Sequence, residues 1–113
     1  MDDARLMAAV DAQEITNLIM RWGQARDRGD WDVLRDCFHA DGTIQIAWIT
    51  GSGHEFVDKS AERLSEFGKG EHAKHIMSAP NTLLNGARAV CQTHVNHCAR
   101  VIVDGIEFDW EFW

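Results

Sequence analysis

The chain of 113 residues suits a single domain with a single core, and a 45% hydrophobic content that includes five Trp and five Phe can fill it. One Pro and 26% charged residues exclude a disordered or low-complexity chain. A formal charge of −7 with no run of Lys or Arg excludes a nucleic-acid backbone or an anionic membrane surface as the expected partner.

Met1 is followed by Asp2 and Asp3, the wrong charge for a signal or transit peptide. No apolar run approaches the roughly 20 residues that span a bilayer. Cys37, Cys91 and Cys98 are odd in number and match no metal-finger spacing. The expectation is one cytoplasmic domain over residues 1–113 with reduced thiols.

Asp11-Ala12-Gln13-Glu14 has the pattern of a capping box. Ile15, Leu18, Ile19 and Trp22 follow at i, i+3, i+4 and i+7, one apolar helix face. This predicts a helix from about residue 11 to Asp27, closed by Gly29. Asp30 then suits the cap of a short helix, WDVLRDCF, that buries Trp31, Leu34, Cys37 and Phe38. The segment 43–49 alternates as one strand, and Gly51-Ser52-Gly53 is expected to break it. Residues 55–67 predict a third helix ending at Gly68.

From about Ala73 the pattern changes to strands. His75–Met77 and Thr82–Leu84 come first, and Asn85-Gly86 is a hairpin signal. One long strand is expected over 87–103, a turn at Asp104-Gly105, and a last strand over 106–113. Its odd-numbered face, Ala89, Cys91, Thr93, Val95, His97, Ala99 and Val101, is the more apolar and is expected to turn inward. Helices first and antiparallel strands afterwards define an α+β domain. Three N-terminal helices would cover a strongly curved, mainly antiparallel sheet and enclose a pocket.

The segments EITNLIMRWGQARDRGDWDVLRDCFHADGT and KHIMSAPNTLLNGARAV resemble the SnoaL-like branch of the nuclear-transport-factor-2-like cone fold. That group includes scytalone dehydratase, bile-acid 7α-dehydratase, hexachlorocyclohexane dehydrochlorinase and polyketide cyclases. The resemblance implies a cone-shaped α+β barrel and a lyase or isomerase that needs no cofactor or metal. In such lyases an Asp ending the first helix pairs with a His on the first strand after the third helix. The matching residues are Asp27 in ARDRGD and His75 in KHIM. A polar pocket group five residues before the Asp corresponds here to Trp22.

The chemistry of the pair is simple. An imidazole of ordinary pKa near 6.5 accepts a proton at neutral pH. A carboxylate beside it fixes the tautomer and stabilises the imidazolium. Trp22, Trp48, Met77 and His97 are expected to line the pocket around Asp27 and His75. His94, three residues from His97, would face the other way. A metal site from His72, His75, His94, His97 and Cys98 is disfavoured, because strand alternation splits each H-x-x-H pair across two faces.

Two features depart from the family pattern. The chain has no tyrosine, whereas dehydratases of this group use pocket tyrosines as donors or acids. It also stops at EFDWEFW, where family members usually continue into further strand, so the domain is expected to lack the usual C-terminal strand, either because the chain is truncated there or because another subunit covers that edge. The resemblance accordingly implies a homo-oligomer, a dimer or trimer, acting on a small hydrophobic and cyclic substrate. Two rival readings stay open. One is a non-catalytic binding or assembly module of the same fold, such as the small subunit of a ring-hydroxylating dioxygenase. The other is a ketosteroid-isomerase-like enzyme with Asp41 as its carboxylate base.

Overall fold

The computed structural model describes Asp2 through Phe112, so Trp113, the last residue of the expected final strand, lies outside the described residues. Three helices come first: α1 (Asp3–Arg28), α2 (Trp31–Asp36) and α3 (Gly53–Ser65). A hairpin, β1 (Thr43–Ile46) and β2 (Ile49–Ser52), separates α2 from α3. The strands β3 (His72–Met77), β4 (Asn81–Asn85), β5 (Arg88–Gln92), β6 (Val95–Val103) and β7 (Ile106–Phe112) follow. Every strand pair among them is antiparallel, giving the expected α+β order.

α1 begins eight residues before the expected start. Asp2 is its cap, accepting from the Arg5 N–H at 2.8 Å, and the good helix formers Ala4, Leu6, Met7, Ala8 and Ala9 carry the helix straight through Asp11. The far end is as expected. Gly29 takes the left-handed conformation at φ +74°, and the Asp30 N–H reaches back to the Ala25 carbonyl at 2.8 Å. The Asp30 N–H thus helps to end α1 and its carbonyl accepts the Leu34 N–H at 3.0 Å to open α2, while its side chain makes no capping bond.

The single strand expected over 43–49 is a hairpin, with Thr43 opposite Ser52 and Ile46 opposite Ile49. Gly51 and Ser52 do not break it; they belong to β2, and Ser52 also caps α3 through a full capping box with Glu55. Leu34, Phe56 and Val57 are fully buried where α1, α2, α3 and this hairpin meet. Phe56 is the hub of that core. Trp22 stacks on it at 5.9 Å and 11°, Trp48 meets it at 5.8 Å, and Phe38 meets it edge-on at 5.9 Å.

The sheet strands form one long bent hairpin plus β7. β3 pairs with β6, β4 with β5, and β6 with β7. The long strand expected over 87–103 is divided at the bend. Met77 lies opposite Val95 before it and Asn81 opposite Gln92 after it, so Ser78, Ala79 and Pro80 oppose only Thr93 and His94. This is a β-bulge, and it bends and twists the ladder. Pro80, with no N–H to leave unpaired, suits the extra residue's segment. The bend is held by Ser78 and its neighbours across the ladder. The Ser78 N–H donates to the His94 carbonyl at 2.9 Å, the His94 N–H donates to Ser78 Oγ at 3.0 Å, and the Thr93 hydroxyl donates to the Ser78 carbonyl at 2.6 Å.

The tip of the arm turns through Gly86-Ala87, one residue later than Asn85-Gly86 suggests, with Gly86 at φ +58°. Asp104 and Gly105 both take positive φ, 52° and 79°, as a two-residue hairpin between β6 and β7 requires.

Gly53, the first residue of α3, sits so close to Phe38 that a Cβ there would clash with the near edge of its ring. Alanine is the better helix former, yet the clash should outweigh that gain. Gly53→Ala is expected to lower stability by about 1–3 kcal/mol, read from the urea midpoint; an unchanged or higher midpoint would show that Phe38 moves aside freely.

Candidate active site

Sequence places Asp27 in the last turn of α1 and His75 in the middle of β3, 48 residues apart. The fold brings them into contact. Asp27 Oδ1 lies 2.7 Å from His75 Nδ1, and Asp27 Oδ2 accepts the His75 backbone N–H at 2.8 Å. Their side chains are 17% and 11% exposed, so the carboxylate is largely withdrawn from solvent.

Because the His75 N–H goes to Asp27, it points away from β6. His75 and His97, directly opposite each other, therefore form a pair without mutual backbone hydrogen bonds, the kind that brings side chains closest. Their ring centroids are 4.6 Å apart.

The remaining ring nitrogen of His75 is also engaged. The Arg26 guanidinium lies 3.0 Å from His75 Nε2. A guanidinium can only donate, so this contact assigns the lone pair to Nε2 and the proton to Nδ1, which donates it to Asp27. Arg26 is half-buried over aromatic faces, its Cζ 5.1 Å from the Phe56 ring and 5.6 Å from that of Trp22. Burial pushes its pKa down, Asp27 opposes that shift, and the charge of Arg63 adds to it.

These groups stand at one side of a cavity of about 580 Å³ between helices and sheet, within the range of small-molecule sites. Trp31, Ile46, Trp48, Leu64 and Phe67 line it from the helix and hairpin side. The odd face of β6 (Val95, His97, Ala99, Val101) lines it from the sheet, with Trp110 of β7 beside it. Ser60 also lines the cavity; its hydroxyl is buried and makes no hydrogen bond among the described residues.

Of the six residues singled out from sequence, Asp27, His75, Trp48 and His97 lie on this cavity. Trp22 does not line it. It stands behind the site, stacked on Phe56 and edge-on to His75 at a centroid distance of 6.2 Å. Met77 shares a strand face with His75, but its sulfur packs against α1 at Gly23, about where a Cβ would be. His94 and Asp41 are exposed and away from the cavity. Arg26, Ser60, Arg63 and Trp110 were not signalled by the sequence: each falls in a helix or strand at a position that reads equally well as surface. No group of three His, Cys, Asp or Glu side chains among the described residues is arranged to hold a metal ion.

An α+β cone enclosing an apolar cavity, with a carboxylate–histidine pair against its wall, defines the class of this protein. The chain belongs to the SnoaL-like domain family, which it matches over residues 7–112. It is similar in structure to a nuclear-transport-factor-2-like protein with a cystatin-like fold from Novosphingobium aromaticivorans. That likeness has a TM-score of 0.65 and 24% identity, over 96% of this chain and 74% of the other. The β subunit of benzoate 1,2-dioxygenase from Burkholderia mallei is similar at a TM-score of 0.57 and 15% identity, over 88% of this chain and 73% of that one. A protein from Catenulispora acidiphila is similar at 0.58 and 13%, over 95% and 94%. Among curated proteins none matches. No helix among the described residues is long and apolar enough to cross a membrane.

His97 has its pKa pushed down, chiefly by burial, then by the neighbouring His75 and Arg26, with Asp27 opposing. A lowered native value means the unfolded chain, titrating near 6.5, binds the proton first as pH falls. Stability should therefore decline as pH drops below about 6.5 and level off only below the native value. Urea midpoints between pH 7.5 and 5 should fall less in His97→Asn than in the wild type; parallel profiles would remove His97 as the cause.

Proposed function

We propose that this protein is a lyase or isomerase acting on a small hydrophobic, cyclic substrate, with His75 as general base and Asp27 as its orienting partner. The observation that carries this reading is the Asp27–His75 contact at 2.7 Å, half-enclosed against an apolar cavity. With its Nδ1 proton given to Asp27, the imidazole has Nε2 as the basic atom.

In an elimination, Nε2 takes a proton from a carbon next to an activating group. The C–H electron pair becomes the new double bond, and the β leaving group departs with its own bonding pair. A departing hydroxide takes the proton back from the imidazolium and leaves as water. In an isomerisation the same proton returns to a different carbon. Asp27 stabilises the transient imidazolium, which is where a buried carboxylate contributes most. Chemistry of this kind calls for a base, a shaped cavity and no redox group. Trp31, Trp48 and Phe67 offer flat faces suited to a ring. The absence of tyrosine steers the mechanism away from a tyrosine-held water and towards the dyad alone.

We expect the protein to assemble as a dimer or trimer; Ile76, Val103 and Ile106, each more than half exposed, offer apolar surface on the sheet. The second reading, an assembly module without catalysis, draws on the likeness to a dioxygenase β subunit, which is a likeness of fold.

Incubating the protein in D2O with a panel of cyclic ketones bearing β-hydroxyl or β-chloro groups, each with and without a ring carboxylate, tests the first reading by NMR. The wild type is expected to exchange or eliminate α-protons of at least one member. His75→Gln should slow that reaction by about 10²–10⁴-fold, the usual contribution of a positioned base. Asp27→Asn should slow it as well. Equal rates in wild type and His75→Gln would end the dyad proposal, and silence across the panel would move the assembly reading ahead.

A further inference from the structure

The dyad reading leaves Arg26 without a task. Its guanidinium is half-buried beside the proposed base and lines the cavity. A guanidinium has five N–H donors. Among the described residues Arg26 uses them on one partner, His75 Nε2, and forms no ion pair. Removing a charge from water is costly unless it is paired. The faces of Phe56, Trp22 and Trp48, 5.1 to 5.9 Å away, offset part of that cost. A second cation reinforces the imbalance: Arg63 also lines the cavity, its Cζ 4.5 Å above the Trp48 ring. Asp27 and Glu66 also line the cavity, but neither forms a direct ion pair with Arg26 or Arg63 among the described residues, so both guanidiniums are left open to an anionic group.

Arg26 also stands in the way. Its donor occupies the lone pair that would accept the substrate's proton. A ligand that attracted the guanidinium would remove that obstacle. Ser60 lines the same cavity, and its hydroxyl is buried without a hydrogen bond among the described residues.

Resting on the dyad reading, we propose that the substrate carries an anionic oxygen, a carboxylate or an ionised enol or phenol, and that this oxygen draws Arg26 off His75 Nε2 as it binds. The ring then lies against the aromatic wall, and the base is uncovered only when a substrate of the right charge is present. Arg26 is thus a residue for specificity and for gating the base.

Isothermal titration with 2-naphthoate and with the neutral 2-naphthalenemethanol tests this without turnover. A charge-assisted hydrogen bond supports an expectation of at least about 10-fold tighter binding of the acid to the wild type. Arg26→Gln should bring the two probes within about 2- to 3-fold of each other by losing affinity for the acid, while Arg26→Lys retains part of the preference. His75→Gln should keep it. A readout that needs no variant is the ¹⁵N signal of His75 Nε2, which should shift when 2-naphthoate is added and stay in place with the alcohol. Equal affinity in the wild type, failure of the acid to bind, a preference that survives Arg26→Gln, or an unmoved Nε2 signal would each overturn the proposal. Loss of the acid preference alongside an intact His75→Gln activity defect would sink the anion and leave the dyad. An intact preference with no His75→Gln defect would do the reverse.

Discussion

Asp27 accepts two hydrogen bonds from the same residue, one from the His75 main chain and one from its ring. The first fixes where the last turn of α1 lies against the edge of β3, a strand whose other side is already paired with β6. The second fixes the rotation and tautomer of the imidazole. Helix placement, strand edge and ring orientation thus depend on one carboxylate. That economy has a physical basis: a carboxylate drawn out of water has to be met by donors, and His75 supplies two of them from one position. The Schellman ending at Gly29 makes the arrangement possible, because it stops the helix one turn beyond Gly23 and leaves the side chains of Arg26 and Asp27 at the cavity.

The aromatic hub around Phe56 complements this anchor. It joins α1, α3 and the β1–β2 turn through Trp22 and Trp48, and its ring also supports Arg26 from beneath. A cation held over aromatic faces keeps its direction without needing a carboxylate of its own. The site is therefore a linear sequence of charges and dipoles, Asp27, His75 and Arg26, in which the neutral imidazole separates an anion from a cation. Shifting a proton onto the imidazole strengthens its contact with Asp27 and sets it against Arg26.

Much of the fold was legible because local signals agreed with the global arrangement. Gly29 after an amphipathic stretch, the helix-then-strand order, and Asp104-Gly105 between alternating segments each had one physical meaning. Elsewhere the signal was local and the decision was not. The Asp11–Glu14 capping pattern was overridden because the residues before it are good helix formers already capped by Asp2. The turn at Ala47-Trp48 contains no Gly, Asn, Asp or Pro, so nothing marked it as a turn. Asp27 and His75 were nameable only through likeness to a family, since no periodicity links residues 48 apart. Arg26 was invisible for a different reason. An arginine next to an aspartate at a helix end reads as a solvated pair, and only the aromatic faces packed beneath it draw the guanidinium inward.

The bulge at Ser78–Pro80 has a consequence for how this domain can vary. Within β3 the odd residues Ala73 and His75 face the cavity, yet beyond the extra residue it is the even-numbered Thr82 that pairs with the half-buried Cys91 of β5. The bend therefore separates a core ladder, whose parity sets the two histidines against each other, from an arm whose parity is its own. Residues added or removed in opposed pairs near Gly86 would lengthen or shorten the arm while His75 and His97 stay aligned. A single deletion at the bend would instead try to reverse one strand against the other. In modular terms, the length of the outer hairpin is independent of the histidine register, and that of the inner one is not.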